Sequence, residues 1–273
     1  MKNRISLLGI IVFVAIIGLC FIACDDGGGT TGGNTNTNQT PVASDYDIAN
    51  LDQGRGNVIA VTITAKSGKS PGAISNIRYA GSTAVPQTLG TYVVYFDVAA
   101  ATGWNAAADI FAGNLIIGYT IGDTGPSGGI VIYDKGSVSD GWRYLEAAPA
   151  NQATSVRWSS TNIDVTGATG TAIGTGKANT AAIIAAHTGD TANNAAKAAA
   201  AYIGGGKNDW FLPSKDELNE MYKVRTHLGI SSGWFWSSSQ SNDNYVWIQN
   251  FGNGLQGYNG EGNNYGVRAV RAF

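Results

Sequence analysis

The chain has 273 residues, with 17 Lys+Arg against 19 Asp+Glu and a formal charge of −2. Charged residues are only 13%, about half the share of an ordinary soluble domain. These values argue against a nucleic-acid-binding domain, which needs a basic excess to release counterions. Collagen is excluded because the 38 glycines keep no three-residue period. Wholesale disorder is excluded because 44% of the chain is hydrophobic and seven Trp must pack somewhere. The length allows about two domains.

Lys2 and Arg4 precede an apolar run from Ile5 to Ile22, about 18 residues and so at the lower edge of membrane-spanning length. A transmembrane anchor and a secretory signal peptide both fit that run. Phe21-Ile22-Ala23-Cys24, followed by Asp25-Asp26, resembles a lipobox, although Phe21 stands where Leu is usual. Cys20 is the competing position, but Leu19 before it is too large for the peptidase pocket. The resemblance implies a signal peptide over residues 1–23, a lipidated Cys24, and a protein anchored in the cell envelope at the outer membrane or cell surface. Cys20 and Cys24 are the only cysteines, so the exported part has no internal disulfide, thiol nucleophile or Cys-based zinc site.

Residues 24–40 contain Gly, Thr, Asn, Asp and Gln with no large apolar side chain, which predicts a flexible tether. Residues 41–118 form a first module. Val58–Thr64, Thr91–Val98 and Gly113–Ile117 alternate with period two, and Gly68, Pro71-Gly72, Gly81, Pro86 and Gly90 punctuate them. Such spacing predicts an all-β, sandwich-like module. Asn76-Ile77-Arg78-Tyr79, Pro86, Gly90-Thr91-Tyr92 and Asp97 to Asn105 together are similar to the MBG-type bacterial Ig-like repeat. That resemblance implies a spacer.

Residues 119–273 form a second module. Strands are predicted at Ile130–Asp134 and Trp142–Ala148, and an Ala-rich helical stretch at Ala178–Tyr202 that Gly189 and Asp190 split. Ser214 with Glu217 forms a capping box before Leu218, Met221 and Tyr222, which share one helix face. Strands follow at 234–238, 245–251 and 267–273. Helices followed by strands indicate an α+β order.

Three stretches here resemble a known family. Trp210-Phe211-Leu212-Pro213-Ser214-Lys215-Asp216-Glu217-Leu218 is similar to its W-R-L-P-T-x-x-E-L motif, with Phe211 where Arg is usual. Phe235-Trp236-Ser237-Ser238-Ser239 and Val267-Arg268-Ala269-Val270-Arg271 are similar to its Y-W-S-S-S and V-R-A-V-R motifs. The family is the Lcl C-terminal domain, allied to the C-type lectin-like fold. The resemblance implies that first and last strands pair, here Ile130–Tyr133 with Val267–Ala272, around two helices and a loop-rich second sheet. Trp210, Leu212, Trp236, Val267 and Val270 read as core.

The stretch Gln240–Gly266 is rich in amides, aromatics and glycine. Its candidate ligand-binding residues are Asn242, Asn244, Tyr245, Trp247, Gln249, Asn253, Gln256, Tyr258, Asn259, Asn263 and Tyr265. Amides donate and accept, while Tyr and Trp give large contact area at low entropic cost. The competing reading is a set of solvated turns, since Asn and Gly are turn formers. If Val246, Ile248 and Phe251 face the core, then Tyr245, Trp247 and Gln249 face out. The expected partner is an extracellular glycan or protein, bound in an adhesin-like manner.

Catalysis is not expected. His187 and His227, the only imidazoles, read as structural or solvent-facing, and Ser237-Ser238-Ser239 lacks a nucleophile elbow. Gly204-Gly205-Gly206-Lys207 lacks the frame of a phosphate loop and reads as a helix stop. No cofactor is implied. Calcium stays open, because Asn242-Asp243-Asn244 offers oxygens but the Glu-Pro-Asn tripeptide of calcium-dependent sugar binding is absent. A structural envelope lipoprotein without a soluble ligand, or a hydrolase of unknown type, are the alternatives.

Overall fold

The computed structural model describes residues 37–189 and 194–273. The expected signal peptide, Cys24 and most of the tether lie outside the described residues. Residues Asn38–Phe273 pack as one unit, and among the described residues no helix is long and apolar enough to cross a membrane.

The first half of this unit is built from β1 (Tyr46–Ala49), β2 (Asp52–Gly54), β3 (Thr62–Ala65), β4 (Ile74–Tyr79), β5 (Gly90–Val98) and β6 (Ala107–Gly118). β1 pairs with β3, while the other four form a sheet in the order β2-β6-β5-β4. Alternation along β5 buries Val94, Phe96 and Val98, which meet Leu115 and Ile117 of β6 and Tyr46 of β1 in one apolar cluster. The strand expected at Val58–Thr64 is shorter, beginning at Thr62. Side-chain amides explain the difference. Gln53 takes both the N–H and the C=O of Ile59 at 2.9 Å, and Gln87 takes those of Val58 at 3.4 and 3.1 Å. Backbone groups already bonded to side chains are lost to a ladder.

The second half contains β7 (Ile130–Ser139), β8 (Trp142–Ala147), β9 (Ala153–Arg157), α1 (Gly176–Ala186), α2 (Ala195–Ala200), α3 (Lys215–Lys223), β10 (Trp234–Asn242), β11 (Tyr245–Asn250), β12 (Gln256–Gly260), β13 (Asn264–Val267) and β14 (Val270–Ala272). The chain is therefore rich in strand with few helices. A three-stranded sheet runs β14-β8-β7, and a five-stranded sheet runs β12-β11-β10-β13-β9. The expected pairing of Ile130–Tyr133 with the last strand is not found. β14 pairs with β8, through Val270↔Ala147 and Ala272↔Leu145, and β8 separates it from β7. The far edge of β14 is taken by Phe211, which exchanges two 2.9 Å bonds with Val270.

The Ala-rich stretch divides as expected into α1 and α2. The second helix starts at Asn194, whose Oδ1 accepts from Lys197 N at 2.8 Å. The capping box of α3 is formed: Ser214 Oγ accepts from Glu217 N at 3.3 Å, and Glu217 Oε2 accepts from Ser214 N at 2.7 Å. Gly176 is required beside it, because a Cβ there would collide with Glu217 Oε2.

The five-stranded sheet is covered fully on one face and in part on the other. One face carries Trp236, Val246 and Ile248 against Trp158, α1 and α2. The other carries Phe235 and Phe251 against Leu218 and Met221 of α3. All five motif residues expected in the core, Trp210, Leu212, Trp236, Val267 and Val270, are buried.

The halves meet through Tyr119, whose ring lies 5.5 Å from Tyr144 and 5.4 Å from Phe273, both edge-on. Arg143 reaches Asp134 at 2.8 Å and Asp52 at 3.2 Å, and Arg55 reaches Asp123 at 2.7 Å. The bond to Asp134 holds the Arg143 guanidinium above its usual range despite burial. The aromatic contact and these part-buried ion pairs together make the junction.

Candidate ligand-binding face

β11 and β12 pair with the register Tyr245↔Gly260, Trp247↔Tyr258 and Gln249↔Gln256. Residues opposite one another share a face, so Tyr245, Trp247, Gln249, Tyr258 and Gln256 stand on the α3 side. Helix α3 covers only one end of that side. Beyond it Tyr258 is 60% exposed and Tyr245 42% exposed, with Trp247 half-buried between them and the helix. The Tyr258 ring packs edge-on to Tyr245 at 5.6 Å and to Trp247 at 5.8 Å, giving one continuous aromatic strip.

Lys215, the first residue of α3, places Nζ 4.1 Å from the centre of the Trp247 ring. Its backbone is pinned from two sides. Lys215 N donates to Ser239 Oγ at 2.9 Å, and Lys215 O accepts from Gln256 Nε2 at 3.1 Å. A cation over an indole contributes about 0.5–1 kcal/mol where exposed. The strip thus ends in a fixed positive charge that the sequence reading did not include.

The other candidates go elsewhere. Gln249 does not face out: it is fully buried, because α3 lies over its end of β11, and its Nε2 donates to Asn219 Oδ1 at 2.9 Å. Asn259 and Tyr265 lie on the opposite face, where Asn259 donates to the Tyr265 hydroxyl and the Tyr265 ring packs 4.7 Å from Trp236. Asn242, Asn253 and Asn263 are exposed, but each side chain closes its own turn. Asn242 Oδ1 accepts from the N–H of Asn244 and Tyr245, both at 3.0 Å, and Asn253 Oδ1 accepts from Leu255 N at 3.0 Å. Asn263 Nδ2 donates to Gly260 O at 3.0 Å. Asn244 binds Asp243 at 2.7 Å and Asn162 at 3.2 Å. Asn242 Oδ1, Asp243 Oδ1 and Asn244 Oδ1, which left calcium open, each accept a hydrogen bond, and among the described residues no three of His, Cys, Asp or Glu gather into a metal-binding group.

Glu261 is a second residue not singled out from sequence. It is fully buried. Its carboxylate accepts from Ser159 Oγ and from Gln240 Nε2, both at 2.7 Å. Gln240 in turn accepts from Val165 N at 2.8 Å and donates to Ile163 O at 2.6 Å. This network ties residues 159–165 to the strand ends beneath the strip. Burial pushes the Glu261 carboxyl above its ordinary range, against the two bonds that lower it. Its one sequence signal is that it and Asp243 are the two carboxylates of an amide-rich stretch.

The remaining polar motifs are structural. Ser237, Ser238 and Ser239 are buried; Ser237 Oγ donates to Trp247 O at 2.7 Å and Ser239 Oγ to Gly170 O at 2.6 Å. Arg268 donates to Ala148 O and Asn151 Oδ1, both at 2.7 Å, and burial pushes it down to about 10. His187 is buried beside Trp158, and His227 is exposed. A cleft of about 710 Å³ lies away from the strip, between α1 and the β8–β14 end. Arg271 lines it, already bonded to Asp209 and to Glu146 at 3.2 Å.

The three motif stretches therefore build the core and pin the sheet, as a family signature should. Residues 147–271 match the family model of the Lcl C-terminal domain. No curated protein matches the chain. Within the matched segment, Phe211 is a buried ring in the α3 cluster. The matched segment starts at the last residue of β8, so β14 pairs with a strand that lies almost wholly before that segment. The aromatic strip and Lys215 both fall inside the matched segment.

Proposed function

We propose that this chain is a lipid-anchored cell-envelope protein that binds an extracellular glycan or protein, adhesin-like and without catalysis. In this reading residues 1–23 are the signal peptide, Cys24 carries the lipid, and residues 24–40 are the tether. Residues 41–118 are the Ig-like, MBG-type spacer, and residues 119–273 are a C-type lectin-like head. The reading calls for no cofactor and leaves calcium to the binding test.

The observation that carries the reading is the strip Tyr245–Tyr258–Trp247, held open at the sheet end with Lys215 beside it. Exposed Tyr and Trp that are fixed by packing lose little entropy on binding, and such side chains dominate recognition energetics. The amides of the same stretch mostly close turns, so they serve to hold the strip rigid.

The test is a binding survey of the full chain in detergent against arrayed glycans and matrix proteins, with and without calcium. A specific hit that weakens about tenfold or more in Tyr258→Ala and Trp247→Ala, with circular dichroism unchanged, is the expected result. A folded protein that binds nothing, or binds equally well in both variants, overturns the reading and leaves a scaffold role.

A further inference from the structure

The outer edge of β12 is open over a short window. Asn250 N donates to Leu255 O at 2.9 Å, and Glu261 N donates to Asn244 O at 3.2 Å. In an antiparallel ladder bonded pairs alternate. These two bonds therefore set the phase: Leu255, Gly257, Asn259 and Glu261 point their backbone groups at β11, while Gln256, Tyr258 and Gly260 point theirs away. Gly260 confirms the phase, because its N–H goes to Asn259 Oδ1 at 2.8 Å and its C=O accepts from Asn263 N at 3.0 Å. The edge is closed there. At the other end Gly254, the next residue of the outward phase, is also engaged: its N–H donates to Asn250 O at 2.8 Å and its C=O accepts from Gln249 Nε2 at 3.3 Å. Between the closures, the N–H and C=O of Gln256 and Tyr258 point away from β11 by this phase, and among the described residues no strand lies on that side of β12.

We propose that β12 pairs with β12 of a second copy of this chain, antiparallel, across a two-fold axis at Gly257. The window is symmetric about that residue. Gln256 of each copy then exchanges two bonds with Tyr258 of the other, and all four open groups of each copy are satisfied. Gly257 sits at the axis, where a Cβ would meet nothing within 4 Å, so the space under the seam is clear. Gln256-Gly257-Tyr258 is uncharged, and β12 carries none of the Lys, Pro or bulge devices that guard free edges. Leu255 and Tyr258, exposed at 59% and 60%, flank the window and gain cover in the pair. Two aromatic strips would then meet edge to edge in one continued sheet.

Gly257→Cys tests the pairing. Residues 257 of the two copies form a non-hydrogen-bonded pair with Cα atoms about 4.5 Å apart, within disulfide range. Gly262→Cys, also open to solvent, is the control, and the unsubstituted chain sets the background from Cys20 and Cys24. Under mild oxidation of the full chain in detergent, Gly257→Cys forms covalent dimer about tenfold faster than Gly262→Cys or more, with a 257–257 linked peptide. Adding Gln256→Pro, which removes an outward N–H, returns the rate to the control. Amide exchange of Gln256 and Tyr258 in the unsubstituted chain slows as concentration rises. Equal rates in the two cysteine variants, or exchange independent of concentration, overturns the proposal, as does protection that appears only when a foreign extended peptide is added.

Discussion

The two faces of the five-stranded sheet are made by the same strands yet differ in how they are finished. On one, Trp236, Val246 and Ile248 disappear beneath α1, α2 and Trp158. On the other, α3 covers Phe235, Phe251 and Gln249, then ends, and Tyr245, Trp247 and Tyr258 continue past it into the open. Period-two alternation decides which residues share a face. It does not decide what covers the face, because that depends on a helix supplied from 30 or so residues earlier in the chain. A face half-covered in this way combines a rigid base with an open end, which suits recognition.

Breaking the covered face has the largest expected effect. Trp236 is fully buried and its Nε1 donates to Val156 O at 2.7 Å. Trp236→Ala leaves a large cavity and an orphaned acceptor, and costs about 3–5 kcal/mol. Urea unfolding would show the midpoint falling steeply with little change in slope. A loss below about 1 kcal/mol, the value for an exposed ring, would mean that this face is not the core.

The next effect is at the helix that half-covers the second face. Ser214→Ala removes the cap on Glu217 N and one of the three donors to Ala172 O, leaving the N–H and hydroxyl of Thr175 there. A loss of about 1 kcal/mol is expected, read as a lower melting temperature. Because α3 also positions Lys215, the Trp247 emission should change in the same variant before unfolding begins.

Glu261→Gln acts beneath the strip and has a sign set by linkage. Burial raises the Glu261 carboxyl in the folded state above its ordinary value. The folded state then binds the proton more tightly than the unfolded chain, so this group's contribution is fully present below about pH 4.5 and is lost as pH rises through the raised folded value. The amide cannot ionise, while Ser159 and Gln240 remain in bonding reach. Glu261→Gln is therefore expected to melt above the parent at pH 7–8 and to converge with it toward pH 4. Parallel melting curves across that range would show that the carboxylate is solvated in place.

Much of this was legible in the residues. The capping box at Ser214, the division of the Ala-rich stretch, the core roles of Trp210 and Trp236, strand β5 and the Gly113–Ile117 end of β6 follow from local rules of spacing and capping, whereas β6 begins earlier, at Ala107. The family motifs were readable for the same reason, since they encode packing. What local rules miss is closure between distant segments. β14 lies on β8 because Phe211 claims its other edge, and nothing in either segment alone says so. Gln249 has the right parity for an outward residue, yet Asn219 and α3 sit over it. Lys215 reads as an ordinary first-turn residue, and only the packing of α3 on β11 brings its amine to Trp247. The amide-rich stretch was the most ambiguous, since Asn242 or Asn253 has the same composition whether it closes a turn or meets a ligand.

The smallest effect on stability belongs to Tyr258→Ala, and it sharpens the comparison most. Tyr258 is 60% exposed and touches its neighbours edge-on, at 5.6 and 5.8 Å. Losing two such partly solvated contacts costs about 0.5–1 kcal/mol. Its backbone stays in the β11–β12 register, so the Trp247 and Lys215 pair should persist, with the indole more accessible to a soluble quencher. Stability nearly intact, quenching increased and ligand capture lost would together separate a residue kept for recognition from Trp236, whose loss removes fold and binding at once. If Tyr258→Ala instead destabilised the chain as Trp236→Ala does, the strip would be a packed surface and the open end of the second face would be closed by some other part of the assembly.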